Sequence, residues 1–484
     1  MPAPVPPAFL PLRSGRTVLA LLASVLLVLG AACSSGPAAL AASTASAPPT
    51  VRPGTAVAPG LEHLGPCADP ALASFSCGLL RVPLDHERTA GATLALPVTV
   101  QKGPASDPVL LNLTGGPGQP GVAFAPRFAQ RLAPALNGRR LVMLDQRGTG
   151  ATAISCPGLQ REMGEGDLLT PTAASVRECS GILGATRPFY GTQDTVQDLE
   201  LLRRALRVRT MTVDGTSYGS YVAERYAVTY PHAVDHLILD SVVPHQWMPQ
   251  DSLSLTSMVA VRRVLRDVCT AQQCPGDPVA DLATLVSRGY DGPALLNLLA
   301  IVSVIRPSFD FVPGMLHDAV NGNDGLLQGW LQGVAAEAPV AEFSQGLHAA
   351  TLCMDQVEPW GDSDTPFVAR EAALQRVRST LTAQQVYPFD VDTATDNGLV
   401  QLCRSWDVTT PDRVSHKRNL PPVPTLFLAG DRDLSTPLEW ASREFRRAPH
   451  GEVLVVRGAG HSLQSRGAEH PEIIERVTAF LGRP

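Results

Sequence analysis

The sequence predicts an α/β architecture: a mostly parallel sheet flanked by helices, with a largely helical insertion. Three observations carry that prediction. From about residue 61 to 243, short apolar runs suited to buried strands alternate with stretches of helical spacing. The alternation lapses over 244–422, where helical patterns and cysteines dominate, and resumes over 423–484. Third, strand, tight turn and helix meet at Val213-Asp214-Gly215-Thr216-Ser217-Tyr218-Gly219.

The elements follow in order. Residues 93–100 read as a strand, and Pro97 suits an edge better than a centre. Residues 108–114 are nearly all apolar, as in a strand buried on both faces, and lead into the glycine-rich loop 115–121. Another buried strand covers 140–145, and helical spacing covers 195–206. After the central turn, 220–230 has helical spacing until Pro231 ends it, and 234–240 is a further strand. Within the insertion, 261–269 and 325–336 are helical in pattern; 424–430 and 453–456 restore the strands.

At 484 residues, 44% hydrophobic and 17% charged, the chain can bury a large core and a second lobe. A net charge of −6 with no basic stripe sets nucleic acid aside as a partner. Near the start, Arg13 and Arg16 precede an apolar run over 18–29 and the small residues Gly30, Ala31, Ala32 and Cys33. This pattern predicts an export signal over 1–33, since the run is short for a membrane span. Cys33, with Leu29 and Ala32 upstream, resembles the lipidated cysteine of a bacterial lipoprotein, which would tether the protein to a membrane. Ordinary cleavage nearby, after Ala41, is the alternative. Residues 34–60, rich in Ala, Ser, Pro and Gly, read as a flexible linker.

Eight cysteines remain after Cys33, an even number that in an exported chain points to disulfides. Sequence proximity suggests Cys67–Cys77, Cys156–Cys179 and Cys269–Cys274, leaving Cys353–Cys403. Short loops of this kind stabilise by about 2–4 kcal/mol each. The close Cys and His pairs that zinc requires are missing, so no metal is expected.

The central Gly-x-Ser-x-Gly has the setting of a nucleophile elbow, the strand–turn–helix device of the α/β-hydrolase fold. Ser217 is the candidate nucleophile. Its hydroxyl needs a base, and the base needs an orienting acid, in the chain order Ser, Asp or Glu, His. His461 follows the 453–456 strand among Gly458, Ala459 and Gly460, small neighbours that let an imidazole swing over the sheet edge. The acid should end the preceding strand, where Asp431 and Asp433 both qualify. The loop 115–121 follows the strand expected to carry an oxyanion hole, so the backbone N–H groups of Gly116 and Tyr218 are the candidate donors. A phosphate cradle would need a Gly-Lys-Ser/Thr ending, which is absent. Asp145 and Arg147 are expected to brace that loop through an ion pair, and no cofactor is called for.

With these pieces assembled, the chain resembles the α/β-hydrolase serine peptidases of the proline iminopeptidase and tripeptidyl aminopeptidase group, most of all exported, disulfide-containing tripeptidyl aminopeptidase-like members. The resemblance runs from about Cys67 onward. It rests on Gly115-Gly116-Pro117-Gly118, Asp145-Gln146-Arg147-Gly148-Thr149-Gly150, Gly215-Thr216-Ser217-Tyr218-Gly219, Cys353-Met354-Asp355, Cys403-Arg404-Ser405-Trp406, Asp433-Leu434-Ser435-Thr436-Pro437 and Gly460-His461. It implies that the acid is Asp433, in Asp-x-x-Thr-Pro. Thr114 stands where proline iminopeptidases usually carry His before Gly-Gly-Pro-Gly, which argues against strict single-proline release. The implied activity is removal of short peptides from free N-termini.

An aminopeptidase must hold the substrate's α-ammonium, and Asp355 and Glu358 in the insertion are the expected acids. The domain expectation is a core over 61–243 and 423–484, carrying a lid lobe over 244–422. Two other functions fit the same residues: a carboxylesterase or lipase using this triad on acyl esters, and a non-catalytic binding lipoprotein.

Overall fold

In a computed structural model of the chain, residues 52–53, 60–136, 138–336, 338–410 and 418–482 are described. The predicted export signal, Cys33 and all of the predicted linker except Arg52, Pro53 and Gly60 lie outside them.

A single ten-stranded sheet organises the described residues. Its strands are β1 (Arg52–Pro53), β2 (Leu61–Pro66), β3 (Phe75–Pro83), β4 (Ala92–Gln101), β5 (Val109–Leu113), β6 (Arg140–Leu144), β7 (Met211–Thr216), β8 (Val234–Asp240), β9 (Thr425–Gly430) and β10 (Gly451–Val456). They lie in the order β10-β9-β8-β7-β5-β6-β4-β3-β2, and β1 pairs antiparallel with β4. From β10 to β6 every pairing is parallel, and β4, β3 and β2 extend the sheet antiparallel.

The buried strands read as apolar runs because each face meets its own helices. Leu110, Leu141, Ile238 and Leu426 pack with Phe128, Leu132, Ile473 and Val477 of helices Ala125–Leu136 and Pro471–Leu481. Their strand neighbours Leu111, Val142, Leu237 and Phe427 pack on the opposite face with Val196, Leu199, Val222 and Tyr226 of helices Thr192–Ala205 and Tyr218–Thr229. The two-residue period of a strand splits the apolar set between these layers. At the edge, β10 is half wet, with Val453 and Val455 exposed.

Pro97 departs from expectation. Its strand, β4, is interior, flanked by β3 and β6. The Pro97 carbonyl accepts from the Asp145 N–H (2.9 Å), so the nitrogen on that same side faces chain just past the last residue of β6. No ladder hydrogen bond is asked of it there, so a central strand tolerates the proline.

Among the described residues, 244–422 contribute no strand. Helices Leu255–Ala271, Pro278–Ser287, Gly292–Ile305 and Val312–Val320 build a further apolar cluster that also takes in Leu434 and Trp440 from beyond β9. Disulfides join Cys67–Cys77, Cys156–Cys179 and Cys269–Cys274, the three pairs that proximity suggested, and Cys353–Cys403, the pair that remained.

Candidate active site

Ser217 stands between the end of β7 and the start of helix Tyr218–Thr229, with φ 58° and ψ −128°. Such a conformation costs a non-glycine residue about 1–3 kcal/mol and persists where its surroundings over-determine it. Here the Ser217 N–H donates to the Asp240 carbonyl (2.9 Å), and the Ser217 carbonyl accepts from the Ser220 hydroxyl (2.6 Å). Gly215 is needed for close approach: a Cβ there would lie 2.2 Å from the Gly219 carbonyl oxygen. The serine is thus lifted above the sheet at the head of a helix.

His461 arrives on the loop after β10. Its Nδ1 lies 2.9 Å from Asp433 Oδ2 and 3.1 Å from Thr436 Oγ1, while the Thr436 hydroxyl donates to Asp433 Oδ2 (2.7 Å). Asp433 Oδ1 accepts from the Ser435 and Thr436 N–H groups (3.0 and 2.9 Å). Burial opposes ionisation of Asp433, but the charge and hydrogen bond of His461 and the Thr436 bonds outweigh it and hold the carboxyl below its usual range. Burial likewise opposes charge on His461, and Asp433 more than offsets it, leaving the imidazole above its ordinary value. Asp431 is occupied elsewhere, accepting from the Gly458 N–H (2.7 Å). Between the two acids left open by sequence position, the structure brings Asp433 to the histidine.

Two elements seat that loop. Asp240, at the end of β8, accepts from the Leu463 and Gln464 N–H groups (2.8 Å each), and the His461 N–H donates to the Ser303 carbonyl (3.1 Å). The imidazole is therefore fixed from the sheet below and from helix Gly292–Ile305 above.

Ser217, His461, Gly116 and Tyr218 line one cavity of about 210 Å³. Gly116 has φ 104°, and a Cβ on it would lie 2.6 Å from the Gly118 nitrogen. The loop needs glycine for that turn, and the result presents backbone to the cavity. Asp145 accepts from the Gly121 and Val122 N–H groups (2.9 and 2.8 Å), so it does brace the loop. The expected Asp145–Arg147 ion pair does not form. Arg147 instead makes two 2.7 Å hydrogen bonds to Asp198 and caps the Leu84 and Phe189 carbonyls, because the buried carboxylate of helix Thr192–Ala205 is its nearer partner.

Asp355 and Glu358 require correction, since neither lines the cavity. Asp355 is buried and accepts from both the N–H and the hydroxyl of Thr192, whose Oγ1 also lies 2.6 Å from the Tyr218 hydroxyl. It caps a helix start and steadies the residue after Ser217. Burial pushes Glu358 up to about 8, against the charge of Arg370. Sequence reading missed the acids that do face the cavity, Glu165, Asp167 and Asp251, together with His348. Nothing in the local sequence around Glu165 and Asp167 distinguishes them from ordinary loop acids, since their placement depends on a contact across the fold.

Among the described residues, a group able to offer metal ligands lies apart from the cavity: Glu224, His245 and Glu444, with donor atoms within 4.8 Å of one another. The His245 Nδ1 is 3.1 Å from Glu224 and 2.8 Å from Glu444, while Nε2 donates to the Arg418 carbonyl (2.7 Å).

Comparison with known sequences agrees with this geometry. The family model described as the alpha/beta hydrolase fold matches residues 108–273, and that of the TAP-like protein family matches 387–483. The tripeptidyl aminopeptidase of Streptomyces lividans is 25% identical over 84% of this chain and 81% of its own length. The serine protease Hip1 of Mycobacterium tuberculosis is 25% identical, covering 84% of each chain. The putative hydrolase YuaR of Escherichia coli is 27% identical over 84% of this chain and 86% of its own. By its sheet topology and the matching family models, the chain is a serine hydrolase of the α/β-hydrolase fold, similar along most of its length to tripeptidyl aminopeptidases.

Proposed function

We infer that the protein is a serine aminopeptidase that releases short peptides from free N-termini through an acyl-enzyme. One observation carries the reading. The cavity holding Ser217 and His461 is lined by carboxylates and, among the described residues, by no arginine or lysine. A pocket of that sign receives a cationic substrate end, which a peptide with a free amine has and a neutral acyl ester lacks.

In this reading the Ser217 hydroxyl attacks the scissile carbonyl and its proton passes to His461 Nε2. Asp433 holds Nδ1 and stabilises the imidazolium. The Gly116 and Tyr218 N–H groups take the oxyanion, charge that develops only as the tetrahedral intermediate forms. Collapse transfers the proton from His461 to the leaving amine, and the N-terminal peptide remains esterified to Ser217. Water, deprotonated by His461, then frees it. Helices of 244–422 roof the cavity through Asn297, Ile301 and Leu399, with Trp247 from the loop before helix Pro249–Ser252, and act as a lid that admits short or flexible ends. The signal pattern over 1–33 supports export, with Cys33 as a lipid anchor.

The test compares a tripeptide anilide with a free amine, its N-acetyl twin and a short-chain nitrophenyl ester, each with the chain and its Ser217→Ala variant. Serine-dependent cleavage that favours the free amine is the expected result. Rapid ester turnover with neither anilide cleaved would mean an esterase. A chain that a serine-directed fluorophosphonate does not label would be a binding scaffold.

A further inference from the structure

The cavity's acids are not equivalent. Asp251 is already engaged, receiving hydrogen bonds from Arg443 (2.7 Å) and from the Trp440 indole (2.8 Å). Glu165 and Asp167 follow helix Pro157–Met163, and no lysine or arginine pairs with them among the described residues. Asp167 keeps 43% of its side chain accessible, although protein crowds it on the cavity wall.

The wall around this turn is polar and incompletely bonded. The Asn297 amide packs against Gly166, where a Cβ would lie 3.0 Å from its Oδ1; Asn297 is 2% exposed and its Nδ2 has no protein partner. His348 is fully buried, donates from Nδ1 to the Pro117 carbonyl (3.0 Å) and aims Nε2 at Asp167 Oδ1, 3.3 Å away, without completing a hydrogen bond. Gln356, 6% exposed, directly follows helix Gln345–Asp355, which carries His348, and also lines the cavity, its Oε1 unpartnered. Buried polar atoms are rarely left unpaired, and of these the Gln356 Oε1, an acceptor on the wall of the cavity that Asp167 also lines, is one that a donor-only ligand can complete.

We propose that Asp167, flanked by Glu165 and backed by Asn297 and His348, seats the α-ammonium of the peptide substrate and so fixes the N-terminus relative to Ser217. The assignment rests on the aminopeptidase reading above and replaces Asp355 and Glu358 in that role. An ammonium group has three donors and no acceptor, so it needs acceptors converging from several directions. The Asp167 and Glu165 carboxylates and the Gln356 Oε1 supply them, whereas an N-acetyl group would bring an uncharged amide to two carboxylates. Burial raises Asp167 above the usual carboxylate range, against the charges of His348 and His461. Burial and the neighbouring Glu342 raise Glu165. A bound cation would relieve both.

The experiment measures kcat and KM for an alanine tripeptide anilide and its N-acetyl twin with the full chain and with Asp167→Asn, Glu165→Gln and Glu342→Gln. Thermal unfolding of each variant checks its fold. Loss of one charge-assisted contact predicts a KM for the free-amine substrate raised about tenfold to a hundredfold in Asp167→Asn. Glu165→Gln should show a smaller rise, and Glu342→Gln, near the turn but off the cavity, none. A second measurement needs no variant: the free alanine tripeptide should inhibit the unaltered enzyme competitively, and its N-acetyl form should not. If the unaltered enzyme favours the free amine but Asp167→Asn and Glu165→Gln keep that preference, this assignment is overturned and the aminopeptidase reading stands. If the unaltered enzyme does not distinguish the two substrates, both fall.

Discussion

Two histidines in this molecule are gripped by carboxylates, and the difference between them separates chemistry from architecture. His461 gives Nδ1 to Asp433 (2.9 Å) and lines the cavity that also holds Ser217. His245 has Nδ1 set between Glu224 and Glu444 and Nε2 spent on the Arg418 carbonyl. Its three-residue cluster is fully buried. A carboxylate–imidazole pair is therefore not a catalytic signature in itself. What matters is whether the second nitrogen opens onto space a substrate can enter. In the sealed cluster, burial opposes charge on His245, but Glu224 and Glu444 overcome it and push it up to about 10, while burial and Glu444 raise Glu224 to about 8.

The largest expected effect breaks the open pair. His461→Ala should lower kcat by about 10⁶ with little change in unfolding midpoint, because each member of the proposed triad acts as part of a unit. Asp433→Asn should cost about 10⁴ in kcat by favouring the wrong imidazole tautomer. Asp431→Asn, which disturbs only the bond to the Gly458 N–H, should leave turnover close to the original. A large loss there in place of the Asp433 effect would exchange the two assignments. Stopped or steady-state anilide assays decide both.

The sealed pair should respond in the opposite currency. His245→Gln leaves buried carboxylates without their cation, which costs about 3–5 kcal/mol in urea unfolding, while kcat per folded molecule holds. Loss of activity without loss of stability would make His245 part of the machinery after all. The pH dependence sharpens the point. A histidine raised in the folded state contributes stability that is fully present below its unfolded value of about 6.5 and is lost as pH climbs through about 10. Unfolding midpoints should accordingly fall between pH 6.5 and 10, and His245→Gln should remove that contribution.

The smallest effect concerns Glu358. Because its neutral form is favoured on folding, the unfolded chain releases the proton first, so stability declines as pH rises from about 4.5 to about 8. Glu358→Gln should flatten that decline and leave the midpoint unchanged or higher at pH 8. An unaltered slope would show that Glu358 is ionised in the folded chain.

Much of the fold was legible in the residues. Strands 108–114, 140–145, 234–240 and 424–430 appear as β5, β6, β8 and β9 within a residue or so, because parallel strands buried on both faces must be apolar throughout. The elbow was legible too: Gly215 is required by its contact with Gly219 only four residues on, although Gly219 itself is required by the Leu113 carbonyl at the end of β5. The disulfide partners were readable for the same reason in the three shorter loops. Local chemistry also exposed Ser217, His461 and a choice between two aspartates.

Tertiary structure decided the rest. The interior position of Pro97 depends on where β6 stops, and the partner of Arg147 depends on a helix that begins 45 residues later. Asp355 and Glu358 looked suited to bind an amine because they are acids in the helical segment, yet packing turned both away from the cavity. Glu165 and Asp167 face it because helices carrying Asn297 and His348 close over their turn. Sequence determines what a side chain can do within a few residues of backbone: strand or helix, nucleophile or base. Which cavity a carboxylate enters is set by contacts between segments more than a hundred residues apart, and no local pattern records them.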